Sequence, residues 1–186
     1  MTHGPSTCPT HFRFGQTSPD PNVGKYARSV AVVCVLLMIA DQCKVKRIFA
    51  PGDNVREAAV HDLDAIVGIA GPAGGPLPHP ALLHWTADPP VDSGWYVGKA
   101  PCTDYAPKEC DEYPYRTTEE ANVDTSSIRP ILKADNKDEG IYYSAFLAGC
   151  SVTTSADKSF LVIPVISPTG TRDNPVTYTS AWCLGT

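Results

Sequence analysis

The segment CDEYPYRTTEE, residues 110–120, gathers acidic side chains around a proline. Asp111 and Glu112 open the segment, and Glu120 follows nine residues after Asp111. Neighbouring side chains in a strand point to opposite faces, so only one of Asp111 and Glu112 readily faces a given site. Glu120 also stands where it would complete a helix capping box with Thr117 as the N-cap. On its own, the segment has an ordinary explanation as a capped acidic turn.

A second polar segment, KADNKDEG, covers residues 133–140. Its Asp135 and Asn136 are typical of a turn or a helix cap. Asn136 equally offers a hard oxygen to Mg²⁺ or Ca²⁺. In chain order the two segments supply a carboxylate pair, a further carboxylate, a strand, an Asp-Asn pair and a helix. We therefore expect the two segments together to enclose one hard cation.

These motifs, in this order, resemble those of the NucA/NucB family of deoxyribonucleases. That family has a D-E-[YW]-P motif, a Glu eight residues after the motif's Glu, and a D-N-[RK]-x-x-G segment before a helix. The matching residues are Asp111-Glu112-Tyr113-Pro114, Glu120, and Asp135-Asn136-Lys137 with Gly140. The likeness covers residues 102–165, about a third of the chain. The chain departs from the family at Ala121-Asn122, where Gly-Gly is usual.

The resemblance implies a secreted, metal-dependent endonuclease that cleaves DNA largely without sequence preference, with an active site like that of the ββα-metal nucleases. Asp111 and Glu112 would be catalytic, and Asp111 would be the general base on the attacking water. Glu120 and Asn136 would fix the divalent metal, Mg²⁺ or alternatively Mn²⁺. Four nearby basic side chains would contact the phosphates, namely Lys108, Arg116, Lys133 and Lys137. Taken singly, each is better explained as an ordinary surface charge.

The alternative from another class is a secreted binding or structural module that keeps the scaffold with a weak or inactive site. Asp138 and Glu139 add negative charge beside Asn136, and the net charge is −5. Binding to nucleic acid depends on neutralising phosphates, so this charge opposes it. The expected partners of an active enzyme are DNA and, for a nuclease delivered to rival cells, an inhibitor or immunity protein.

The length of 186 residues and the apolar content of 42% suit one compact domain with an appended segment. The Gly- and Pro-rich residues 68–80 predict a boundary, with an N-terminal extension over 1–75 and the nuclease-like domain over 76–186. The apolar run at residues 30–40 is too short to span a bilayer. It fits either an uncleaved signal or anchor segment or a buried core element, and we expect no stable membrane span in the mature domain.

Hydrophobic spacing predicts a helix over residues 55–69, capped by Asp53 or Asn54, and another helix over 140–150. Strands are expected over 81–86, 126–134, 159–167 and 176–184. The predicted fold class is α+β, with a small antiparallel sheet packed with a few helices and with many loops.

Seven cysteines occur without the C-x-x-C pairs of zinc ribbons. Cys102 and Cys110 flank a short loop, and Cys150 and Cys183 flank the last strand region. Both pairs are disulfide candidates in an oxidising compartment, and the alternative is that all are free buried thiols. The odd count leaves at least one thiol unpaired within the chain.

Overall fold

The structure, a computed structural model, describes residues 45–68, 78–89, 108–122, 124–167, 169–175 and 181–183. In chain order, their elements are β1 (Arg47–Phe49), a 3-10 turn (Asp53–Val55), α1 (Arg56–Val67), β2 (Leu82–His84), β3 (Lys108–Tyr113), β4 (Ser127–Leu132), α2 (Lys133–Gly149), β5 (Ser159–Val162) and β6 (Ala181–Cys183). The predicted α+β class is confirmed.

Strands from both ends of the described chain form one sheet in the order β2-β5-β1-β6. β1 pairs parallel to β5 and antiparallel to β6, and β2 pairs antiparallel to β5. The sheet is therefore mixed, whereas the sequence predicted an antiparallel one. Phe160, Leu161 and Val162 are all fully buried, as expected for a continuous apolar run with both faces covered. β5 is shorter than predicted because Pro164 cannot donate to the ladder.

β3 and β4 form a separate antiparallel pair in which Asp111 lies opposite Arg129. α2 begins at Lys133, directly after β4, so the two strands and the helix form one consecutive unit. The sequence predicted this helix to begin near Gly140, with Asp135 and Asn136 in a turn before it. Both residues lie instead in the first turn of α2, because β4 passes into the helix without a connecting loop.

Two acidic side chains, one near the start of each helix, join α1 and α2. The Asp135 carboxylate accepts the Glu57 backbone N–H at 2.8 Å, and the Glu57 carboxylate accepts the Leu132 backbone N–H at 2.8 Å. The Glu57 N–H lies in the first turn of α1 and has no partner within that helix, and Leu132 immediately precedes α2. The predicted cap of α1 at Asp53 or Asn54 is wrong, since a 3-10 turn precedes the helix. Asp53 is buried there and binds Arg56 instead.

The largest core cluster joins the first strand to the strand–strand–helix unit through aromatic rings. The ring of Phe49 lies 5.4 Å from the rings of Tyr143 and Phe146 and 5.8 Å from that of Tyr115. β1 and α1 thus share a core with the later elements. The predicted division at residue 75 stays a prediction for residues 1–44, which lie outside the described ranges with the apolar run at 30–40.

The predicted pair Cys150–Cys183 forms a disulfide that ties the end of α2 to β6. Cys110 is also disulfide-bonded, and its candidate partner Cys102 lies outside the described residues. Disulfides persist in oxidising compartments. Neither helix in the described part of the chain is long and apolar enough to cross a membrane.

Replacing Cys150 and Cys183 together with Ser should lower the free energy of unfolding by about 3–4 kcal/mol, because the bond closes a loop of 33 residues in the unfolded chain. Urea denaturation followed by circular dichroism measures the loss. An unchanged midpoint would show that the bond contributes nothing to stability.

Candidate functional site

An open pocket of about 230 Å³ lies where β3, the turn after it and α2 meet. Its lining residues include three acids, an asparagine and one cation. The lining residues are Asp111, Glu112, Tyr115, Arg116, Thr117, Asn136, Glu139, Gly140 and Tyr143. The structure therefore brings Asp111, Glu112 and Asn136 together, as the pairing of the two polar segments predicted.

Asp111 is nearly buried, with 4% of its surface exposed. Its Oδ2 lies 2.6 Å from Nδ1 of His61, a fully buried residue of α1. The other ring nitrogen, Nε2, lies 2.9 Å from the Ser127 hydroxyl on β4. The imidazole thus joins a pocket carboxylate to the neighbouring strand.

No pattern in the sequence pairs His61 with an acid fifty residues later. It did carry one signal for burial. His61 lies three residues after Ala58 and four before Ala65, and both alanines are buried on α1. That spacing places all three on one face of the helix.

A pair of acids lies buried beside the pocket. Asp62 is fully buried, and its Oδ2 accepts the Tyr115 hydroxyl at 2.5 Å. Its Oδ1 is buried without a hydrogen-bond partner among the described residues. Glu139 is 3% exposed and also lies 3.5 Å from the Tyr115 hydroxyl. Glu139 and Asp62 can bond to each other only through a proton, since two ionised carboxylates only accept.

Burial and mutual repulsion raise the pKa values of these acids. Burial holds the pKa of Asp62 well above its usual range, and the charge of Asp111 raises it further. Glu139 is raised well above its usual pKa by burial and then by Asp62 and Asp111. Burial, followed by Asp111, raises the pKa of Glu112 to about 8, while Arg116 opposes that shift. These carboxyl groups therefore keep their protons to higher pH than ordinary acids, in a pocket whose lining contains one cation, Arg116.

This cluster could hold a metal ion. His61, Asp62 and Asp111 each offer one ligand atom, and these atoms lie within 4.8 Å of one another. Asn136 adds an oxygen on the pocket side. Its Nδ2 donates to the Cys110 carbonyl at 3.1 Å, which leaves the amide oxygen as the ligand atom. Glu139 follows Asn136 by three residues on α2, so the two lie on one helix face.

Glu120, the other expected metal ligand, does not line this pocket. Its carboxylate accepts the His84 backbone N–H at 3.0 Å and contacts His84 Nδ1 at 2.6 Å. The capping-box explanation for Glu120 is wrong as well, because the residues around it form turns. Glu139, which lines the pocket, was interpreted from the sequence only as a negative charge that would oppose the binding of phosphate.

Of the four expected phosphate contacts, Arg116 lines the pocket. Lys108 pairs with Glu57 at 3.1 Å and lies in a separate pocket. Lys133 pairs with Glu109, and Lys137 is exposed on α2. A phosphate in the main pocket would thus meet the Arg116 guanidinium first.

No family model matches the chain, and a search of curated proteins finds no match either.

The raised pKa of Glu112 predicts that the metal-free protein loses stability as pH rises from about 4.5 to about 8. Between these values the folded state binds more protons than the unfolded state, so raising the pH favours unfolding. Thermal melts in EDTA across this range measure the effect.

Glu112→Gln should flatten part of that dependence, because the amide does not ionise. Glu119→Gln, the same change at an exposed glutamate, is the matched control and should leave the slope in place. A slope that is unchanged in Glu112→Gln would contradict the raised pKa.

Proposed function

We propose that this chain is a secreted, metal-dependent endonuclease of the NucA/NucB type that hydrolyses DNA phosphodiester bonds. The observation that carries the proposal is the convergence of Asp111, Glu112, Asn136 and Glu139 on one open pocket. The order of the motifs along the chain supports the same family. The two strands and helix that carry these residues are consecutive, as a ββα-type site requires.

The residues fit a divalent cation such as Mg²⁺ or Mn²⁺. Asp111, Asn136 and Glu139 would hold it, because carboxylate and amide oxygens are the hard ligands that such ions take. The unpartnered Oδ1 of Asp62, together with the burial and mutual repulsion of the acids, supports a cation in this cluster, because a cation would let these acids ionise. When bound, the ion would neutralise the scissile phosphate and stabilise the leaving oxygen.

Glu112 is the better placed of the two catalytic candidates to accept a proton from water. Asp111 was the expected base, but it is nearly buried and one of its oxygens bonds to His61. Glu112 lines the open pocket with a pKa near 8, close to the range that suits a base at neutral pH. Positive charge beside it would favour its ionised form. Asp111, whose Oδ2 contacts His61, is then a metal ligand and not the base.

Arg116 would bind a phosphate oxygen at the edge of the pocket. A guanidinium presents several donors in a fixed plane and so orients as well as neutralises a phosphate. With three acids in the lining and a net charge of −5, DNA affinity should be modest. The disulfides at Cys110 and Cys150 suit the oxidising conditions of a secreted enzyme.

Asp111→Asn should lower plasmid nicking in Mg²⁺ or Mn²⁺ by at least about 100-fold, because the site loses a carboxylate that would bind the metal ion. EDTA should abolish the wild-type activity. Nicking that persists in Asp111→Asn would remove this residue from the mechanism.

Glu139→Gln and Glu120→Gln make the same chemical change inside and outside the pocket. Glu139→Gln should weaken Mn²⁺ binding by about 10-fold or more, and Glu120→Gln by much less, because Glu120 pairs with His84. The reverse order would return the metal-ligand role to Glu120.

The alternative is a secreted binding or structural module, which the acidic lining of the pocket favours. It predicts that the folded wild-type protein cleaves neither single- nor double-stranded DNA with any divalent cation. Cleavage that depends on the cation and on Asp111 excludes it.

A further inference from the structure

His61 belongs to neither motif, yet it contacts the motif acid Asp111. It lies on α1, while Asp111 lies on β3 and Ser127 on β4. The exposed fractions are 0% for His61, 3% for Ser127 and 4% for Asp111. The two contacts of 2.6 and 2.9 Å are therefore shielded from water, and each would be costly to leave unmade.

An ionised Asp111 sets the direction of the first hydrogen bond, and the protonation of the ring sets the direction of the second. An ionised carboxylate only accepts, so Nδ1 of His61 donates to Asp111. In the neutral ring Nε2 then accepts, and the Ser127 hydroxyl donates to it. Asp111 thereby selects the tautomer, and the Ser127 hydroxyl, which can donate or accept, completes the hydrogen bonding of the ring.

We propose that His61 is the positioning residue for Asp111, and this inference rests on the proposed function of the same site. With Oδ2 held by the ring, the carboxylate cannot rotate, and its second oxygen remains for the pocket. Partners of this kind orient the ligands of metal sites and raise their affinity. α1 thus completes a site whose ligands come from the strand–strand–helix unit.

The competing role for His61 is direct metal ligation, since it belongs to the His61, Asp62 and Asp111 group. Both of its ring nitrogens are already engaged. Ligation through Nδ1 would break the bond to Asp111, and ligation through Nε2 would break the bond to Ser127. The positioning role keeps both bonds, so the geometry favours it.

Two variants of His61 distinguish the hydrogen bond made by Nδ1 from the one made by Nε2. The side-chain amide of His61→Asn stands in for Nδ1 and can still donate to Asp111. The amide of His61→Gln stands in for Nε2 and reaches Ser127 instead. Mn²⁺ affinity, measured by electron paramagnetic resonance of the free ion, should fall about 10-fold or more in His61→Gln. His61→Asn should retain most of it.

His79 supplies the matched control, because it is a buried histidine whose ring packs against Tyr113 and does not line the pocket. His79→Asn and His79→Gln should bind Mn²⁺ equally well. Circular dichroism verifies that all variants are folded. Equal Mn²⁺ affinities for His61→Asn and His61→Gln would overturn the positioning role.

Two further readouts keep the inference testable if a His61 variant does not fold. Histidine ¹⁵N NMR of the metal-free protein should show the proton of His61 on Nδ1. Pulsed resonance of bound Mn²⁺ should show no nitrogen coupling from His61. A proton on Nε2, or a nitrogen coupling, would overturn the inference.

Failure of the proposed function looks different. A wild-type protein that binds Mn²⁺ with this variant pattern but does not nick DNA would reject the nuclease and keep the positioning role. A wild-type protein that does not bind Mn²⁺ would reject both.

Discussion

The burial of several acids close together is the constraint on which the site depends. Burial raises the pKa values of Asp62, Glu112 and Glu139, and the charge of Asp111 raises them further. Desolvating an ionised carboxylate without a partner is costly, so the fold must supply protons, hydrogen bonds or a cation. The Tyr115 hydroxyl and the His61 ring form hydrogen bonds with Asp62 and Asp111. The second oxygen of Asp62 has no hydrogen-bond partner among the described residues.

α1 makes this arrangement possible, and two carboxylates hold it in place. Asp135 and Glu57 each accept a backbone N–H at the start of the other residue's helix. These contacts fix α1 against α2, and the face that carries His61 and Asp62 then packs towards β3. The aromatic core around Phe49 and Tyr143 fixes the same unit against the large sheet. The position of each acid is thus set by contacts outside the pocket.

Local patterns in the sequence predicted several of the elements, although neither β1 nor β3 was among them. The apolar runs placed α1, β4 and β5 within a few residues, and the α+β class followed from them. The pairing of the two polar segments anticipated that Asp111 and Asn136 would share a pocket. Periodicity reports which face of an element is buried, but it does not report which distant side chain meets it.

The errors arose from contacts between residues far apart in sequence. Asp135 was expected in a turn, yet it contacts a backbone N–H 78 residues away in sequence. Glu120 carried a plausible local explanation, and His84 on another strand binds it instead. Glu139 was counted as surface charge because helix α2 was expected to begin after it. Once the helix begins at Lys133, Glu139 follows Asn136 on the same face.

The NucA/NucB pattern has Gly-Gly where this chain has Ala121-Asn122, and the difference has a local physical account. Gly is required where the backbone adopts a positive φ, and neither residue has one in the described structure. The Asn122 side chain accepts the Asp124 backbone N–H at 2.8 Å, and the Asn122 carbonyl accepts that of Ser126 at 2.8 Å. Hydrogen bonds of this kind allow Asn to form a turn that does not need the backbone freedom of Gly. The turn therefore leads into β4 and places Ser127 against His61 without glycine.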